Sequence, residues 1–251
     1  MVVSSDFRFL QSKVFDTYSD IRHGFAIGAE TDVRPIDLGD TSDGRNEINW
    51  NRLKRALAIQ SGDHEWAVMN QVHGGECIEV NNGCGVGGRV GDVDGIVTTQ
   101  RNIILAVRTA DCCPILFAAR GGVGVAHAGW RGVAKSIVPN TVNCLVESAK
   151  CKPEEIRVMI GPTIGLHSYE VGLEVIEGIL DTGVPRTVFS LQIDGKFYVD
   201  IGAAVEFQLR QLGIKHIVNV NLDTRTDTRL HSYRRDGAYS GRIAGMIVRS
   251  D

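Results

Sequence analysis

Three residues of this 251-residue chain are of types that hold metal ions or act as nucleophiles, and each sits among small residues: His73 in NQVHGG, Cys112 in TADCCP and His127 in VAHAGWRG. Imidazole nitrogen and thiolate sulfur are borderline-to-soft donors. Three such ligands with a fourth position open form the arrangement of a catalytic zinc site. The gaps of 39 and 15 residues between them match no local metal motif, so they meet only if the fold brings three strand ends to one point. Gly74, Ala110, Ala128 and Gly129 leave room for a ligand there. Two other readings fit the same residues. Cys112 with His127 suffices for a thiolate nucleophile and its base, as in a cysteine hydrolase or amidase. A histidine at a strand end is also commonly a hydrogen-bonded structural group. Asp111, beside Cys112, either orients a ligand or bonds neighbouring backbone N–H groups in a turn.

The elements that must position these residues are legible as short apolar runs. Residues 66–72 (WAVMNQV) read as a strand ending at His73, and 96–98, 103–107 and 114–119 read as further strands. The last two flank 109–113, which must be a turn or corner. Residues 122–126 (GVGVA) deliver His127. From Arg131 onward, Val133, Ile137, Val138, Val142, Leu145 and Val146 mark an amphipathic helix in which Pro139 predicts a kink or a late start. Elsewhere the pattern predicts a helix over 47–59 with Ile48, Leu53 and Leu57 at helical spacing, and a strand over 156–160. It also predicts a helix over 169–180, a hairpin turn at Asp194-Gly195, a helix near 203–212, and strands over 216–220 and 243–248. This irregular order argues α+β with mixed sheets, not a Rossmann or TIM architecture. The run 83–88 (GCGVGG) matches G-x-G-x-x-G. It lacks the following helix that a dinucleotide site needs, and the six glycines over 81–95 are better read as a loop with several φ > 0 positions.

Composition excludes several function classes. Hydrophobic residues are 43% and charged residues 23%, as in ordinary globular proteins, and no apolar run is long enough for a membrane helix. With 27 basic and 30 acidic residues scattered along the chain, there is no footprint for nucleic acid or an anionic membrane. A small-molecule partner is expected. The start lacks the features of a secretory signal, so a cytoplasmic protein is expected, organised as one domain over 1–251. The six cysteines then read as buried thiols or ligands, with Cys144 and Cys151 on one helical face.

Four longer runs carry a resemblance: 92–119 (DVDGIVTTQRNIILAVRTADCCPILFAA), 122–142 (GVGVAHAGWRGVAKSIVPNTV), 160–172 (IGPTIGLHSYEVG) and 231–245 (HSYRRDGAYSGRIAG). Together they resemble the YfiH-like family, once named multicopper polyphenol oxidase or laccase domain and now described as purine nucleoside phosphorylases with adenosine deaminase activity. The resemblance implies a layered sandwich of mixed β-sheets with helices outside. It also implies a zinc or copper site on His73, Cys112 and His127, and a nucleoside and phosphate as partners of a monomer or homodimer. Adenosine, inosine and methylthioadenosine are the implied substrates.

Phosphate suits arginine, whose planar fork binds two oxygens at once. Arg131, at a predicted helix start, and Arg234, in a cluster with Arg235 and Arg242, are the candidates. Trp130, Tyr169 and Tyr233 could stack on a purine, and His167 reads as structural or pocket-lining. Two stretches depart from the family pattern: 22–40 lacks a Thr-Arg-x-Gly-Gly run, and Leu222-Asp223-Thr224 stands where Cys-Thr is expected. The other functions that remain are an amidase, for example in peptidoglycan-precursor editing, a polyphenol oxidase and a non-catalytic metal-binding protein. Oxidase chemistry wants many more histidines than the seven present, none of them spaced H-x-H.

Overall fold

A computed structural model describes residues 7–28, 37–38, 45–57, 64–84 and 88–250. In chain order the elements are β1 (Phe7–Leu10), β2 (Ile21–Gly28), α1 (Arg45–Ala56), β3 (Glu65–Val68), β4 (Cys77–Glu79) and β5 (Gly95–Thr98). They continue with β6 (Ile103–Thr109), β7 (Cys113–Ala119), β8 (Gly122–Ala128), α2 (Trp130–Ala134), α3 (Ile137–Ala149) and β9 (Arg157–Ile160). The rest are β10 (Glu170–Val171), α4 (Leu173–Leu180), α5 (Arg186–Phe189), β11 (Ser190–Ile193), β12 (Lys196–Val199), α6 (Ile201–Gln211), β13 (His216–Asn219), α7 (Tyr233–Asp236) and β14 (Ile243–Arg249).

Two mixed sheets carry the fold, one in the order β1-β2-β14-β6-β3 and one in the order β13-β9-β7-β8-β5-β4; a small antiparallel sheet, β10-β12-β11, lies apart from them. Because side chains alternate across a strand, each large sheet has two apolar faces. Leu105 and Val107 of β6 meet Leu116 and Ala118 of β7 in a core between the sheets. Ile104 and Ala106 face the other way, onto Trp50 and Leu53 of α1. On the far side, Ile115 and Phe117 pack on Ile137, Val142 and Leu145 of α3 and on Val205 of α6. The result is the layered α+β sandwich that was expected, with helices outside. No helix among the described residues is long and apolar enough to cross a membrane.

Several local expectations are corrected. The strand expected over 66–72 stops at Val68, and the chain reaches His73 through a loop. The helix expected from Arg131 is two helices, broken where Ser136 adopts φ 65; Pro139 falls in the first turn of α3, where its missing N–H costs nothing. Tyr169 is not helical, because residues 170–171 pair with β12 and Gly172 caps α4. Ile48 is 61% exposed, and Trp50 takes its place beside Leu53 on the buried face of α1. Cys151 lies beyond the end of α3, so it shares no helical face with Cys144. In the glycine-rich stretch 81–95, Gly91 takes φ > 0, and residues 85–87 lie outside the described residues. Residues 29–36 and 39–40 of the divergent N-terminal segment lie outside the described residues.

His23 of β2 gives the fold a pH dependence. Its ring is 6% exposed and its Nε2 accepts the Ser12 N–H at 2.9 Å, an arrangement that requires the neutral imidazole. Burial pulls its pKa down to about 4. In the unfolded chain it titrates near its ordinary value, so its contribution is complete above about pH 6.5 and is lost as pH falls toward 4. The loss is about 2–3 kcal/mol. Urea unfolding at pH 7 and 4.5 should show a smaller loss on acidification in His23→Gln than in the parent; equal losses would refute the assignment.

Candidate metal centre and its cleft

His73 leaves its loop at φ 57, a conformation unusual for a residue with a side chain. One buried carboxylate holds it there. Asp94, immediately before β5, accepts the backbone N–H groups of Val72 (3.1 Å), His73 (3.1 Å) and Gly74 (2.6 Å). The same carboxylate lies 2.7 Å from His127 Nδ1, and the Asp94 carbonyl accepts the His127 backbone N–H. Asp94 therefore fixes one ligand through its main chain and the other through its ring. With Nδ1–H donated to Asp94, Nε2 of His127 is left for the site, the usual role of a carboxylate behind a metal-binding histidine.

Cys112 occupies the turn between β6 and β7. Its Sγ lies 3.8 Å from His73 Nε2, and the two imidazole rings stand edge to face with centroids 4.8 Å apart. The three donor atoms all lie within 4.8 Å of one another. Gly129 makes this approach feasible, since a Cβ there would come 3.0 Å from both Cys112 Sγ and His73 Cδ2. Burial pushes the Cys112 thiol up, but the positive character and hydrogen bonds of His127 and His73 outweigh it and bring the pKa to about 6. Burial lowers the His127 pKa, and the Cys112 thiolate and Asp94 override that to raise it to about 9. For Asp94, the hydrogen bond from His127 and the N–H groups of Gly74 and Val72 overcome burial and hold the carboxyl below its ordinary value. Two imidazoles and an activated thiolate on one open triangle are a donor set that suits zinc or copper.

Asp111 is not the orienter. Its carboxylate takes the Thr224 hydroxyl at 2.5 Å and the Arg234 backbone N–H at 2.6 Å, so it ties the Cys112 turn to α7 and to the 222–224 stretch. Asp223 beside it accepts the Gly165 N–H and the Ser168 hydroxyl. The Leu222-Asp223-Thr224 departure thus serves as a brace under the cleft wall.

His73, Cys112, His127, Arg131, Arg234 and Tyr169 line one cleft of about 890 Å³, together with Trp130 and Tyr233. Arg131 is exposed and its guanidinium stacks on Trp130 at 4.5 Å, with no hydrogen bond or ion pair from that guanidinium to any described residue. Arg234 is more committed: its guanidinium donates to the Glu170 carbonyl at 3.0 Å and lies 5.1 Å over the Tyr169 ring. Burial, with the Cys112 charge, pushes the Tyr169 hydroxyl up to about 12, so it stays protonated. Arg235 is not among the cleft-lining residues and binds the carbonyls of Thr224, Arg225 and Leu230 together with Asp236. The α2 helix, at five residues, is too short for its start to add an anion-attracting field at Arg131. His167 is exposed and outside the cleft lining.

Sequence reasoning missed Asp94. Its signal was an acid at the mouth of an apolar strand, in DVDGIVT, where an unpaired carboxylate would be costly to bury. It also missed Gln71, whose side-chain amide pairs with both the N–H and the C=O of Arg108 and props the end of β6.

The sequence matches the family described as multi-copper polyphenol oxidoreductase laccase over residues 29–250. The purine nucleoside phosphorylase YfiH of Escherichia coli is 31% identical over 216 residues, spanning 84% of this chain and 85% of the relative. A purine nucleoside phosphorylase of Xylella fastidiosa is 36% identical over 209 residues, spanning 80% and 77%. Among solved structures, YlmD from Geobacillus stearothermophilus is similar with a TM-score of 0.86 and 27% identity, covering 100% of this chain and 98% of that one.

Proposed function

The chain belongs to the multi-copper polyphenol oxidoreductase laccase family, whose relatives above are named purine nucleoside phosphorylases, and on that premise we propose that it is a metal-dependent purine nucleoside phosphorylase acting on adenosine, inosine and methylthioadenosine, with adenosine deaminase activity. The observation that carries the proposal is the pairing, in one cleft, of the His73–Cys112–His127 triangle with the Arg131 guanidinium, which has no hydrogen-bond or ion-pair partner among the described residues.

Phosphorolysis needs phosphate held against C1′ while the purine departs. Arg131 offers its fork to phosphate oxygens, and stacking on Trp130 restricts the guanidinium before the anion arrives. The Tyr169 hydroxyl, protonated throughout the physiological range, is a hydrogen-bond donor beside the triangle. Bound to His73, Cys112 and His127, zinc or copper supplies Lewis acidity toward a water or substrate oxygen. Asp94 and Gly129 keep those three side chains together.

The test is turnover of adenosine and inosine with and without phosphate, with metal content measured on the same samples. Base release should require phosphate. In Arg131→Ala the KM for phosphate should rise about 10- to 100-fold, the usual worth of a charge-assisted contact. A phosphate KM unchanged by the substitution would remove Arg131 from the anion site. Full activity in metal-free protein would remove the metal.

A second reading rests on a specific observation. Cys112, His127 and Asp94 also form a nucleophile–base–orienter series, with the thiol pKa near 6. It describes a cysteine amidase. Iodoacetamide separates the two: a working bare thiolate is alkylated and inactivated rapidly, whereas a metal-held sulfur is protected until chelation.

A further inference from the structure

Four aromatic side chains line the cleft, and they divide into two kinds. Trp130 and Tyr169 are packed against the hydrophobic core, and each already has a guanidinium over its ring. A Cβ on Gly178 of α4 would come 3.4 Å from the Trp130 ring, so that ring also has a neighbouring helix against it. Tyr233 and Tyr239 are different. They are 57% and 92% exposed, belong to no core cluster, and touch no ring or cation among the described residues.

The backbone that carries them is held firmly. Asp111 takes the Arg234 N–H, Arg235 is bonded to the carbonyls beneath α7, and Asp37 takes the Arg242 N–H at 2.8 Å. Between these anchors Gly237 turns the chain at φ 58, ψ −137, a conformation that side-chain-bearing residues rarely adopt. A segment clamped at both ends that presents two bare aromatic rings to a cleft is preorganised for a flat ligand. Two of the other polar side chains lining the cleft are already engaged. Asn70 bonds Asp92 and Arg89, and Gln71 bonds the Arg108 backbone.

We infer that Tyr233 and Tyr239 form the purine-binding wall of the cleft, stacking on the base while Arg131 and the His73–Cys112–His127 triangle meet the phosphate and the reacting atoms. This rests on the phosphorylase reading and deepens it. Stacking is sequence-tolerant because every base has a π-face, so such a wall accepts 6-amino and 6-oxo purines alike. It offers no means of rejecting adenosine in favour of inosine.

The experiment is steady-state kinetics and equilibrium binding on the metal-loaded protein with inosine, and with hypoxanthine as a base-only probe. Variants are Tyr239→Ala, Tyr233→Ala, their combination, and the corresponding Phe double variant. In the Ala double variant KM for inosine and Kd for hypoxanthine should both rise about 10- to 100-fold, the usual range for a lost base–aromatic stack. The kcat and the KM for phosphate should stay within about three-fold, and the Phe pair, which keeps the rings, should restore binding. A change in KM and Kd below about three-fold in the Ala double variant, or Phe variants as weak as the Ala ones, would overturn the inference while the phosphorylase reading stands. A parent protein that neither binds hypoxanthine nor turns over inosine would remove the phosphorylase reading and the wall with it.

Discussion

Cys112→Ala is expected to lose bound metal and to lower nucleoside turnover by about a thousand-fold or more, the scale of several kcal/mol of Lewis-acid stabilisation. The substitution removes the one sulfur of the three-donor group and leaves His73 and His127 as a pair. Stability should change little, because Cys112 sits in a turn and is partly exposed. Loss of activity with an unchanged unfolding transition would therefore point to chemistry. Metal analysis decides which chemistry: activity lost with metal retained would favour the nucleophile reading, and activity retained would exclude Cys112 from the reaction. The neighbouring Cys113 is an internal control, since it is fully buried in the core and its thiol is pushed up by burial.

Asp94→Ala should be costly twice over. The carboxylate is 0% exposed and serves three backbone N–H groups and one imidazole. Removing it leaves His127 without its charge partner inside the sandwich, where breaking such a pair costs about 3–5 kcal/mol. The second cost falls on the metal. His73 loses the contacts that hold φ 57, and His127 loses the acceptor that fixes its tautomer, so affinity should fall by about 10- to 100-fold. Thermal unfolding and a zinc titration against a competing chelator measure the two separately. Asp94→Asn keeps an acceptor oxygen and should recover part of the stability. If zinc affinity in Asp94→Ala equals that of the parent, Asp94 braces the fold without positioning the ligands.

The parts of this molecule that sequence made legible are those where one side-chain type does one job. Residues 103–107 and 114–119 are unbroken apolar runs because both faces of β6 and β7 are buried, one against the other sheet and one against helices. His73, Cys112 and His127 stood out because their side chains have few other uses among small neighbours. What was hidden depended on partners distant in the chain. Asp94 is one carboxylate among many until His127, 33 residues away, is seen bonded to it. Asp111 looked local and proved to reach Thr224 and Arg234. Tyr169 follows a helical pattern, but pairing of Glu170 and Val171 with β12 overrides that propensity. Tyr239 carried no pattern at all, since what marks it is the absence of burial beside a cleft.

The strand order also bears on how the protein is made. β14 sits between β2 and β6, so the central rung of one sheet is also the latest strand in sequence among the described residues. β6 runs straight into the Cys112 turn, which leaves the ribosome long before residues 243–249 can pair with it. At translation speeds of about 5–20 residues per second, the thiol waits on the order of ten seconds for its sheet to be completed. Over that interval the nascent chain carries an unfinished sheet edge and a cysteine open to oxidants or stray metal. A ribosome-held chain lacking β14 should show a Cys112 that reacts like an ordinary free thiol.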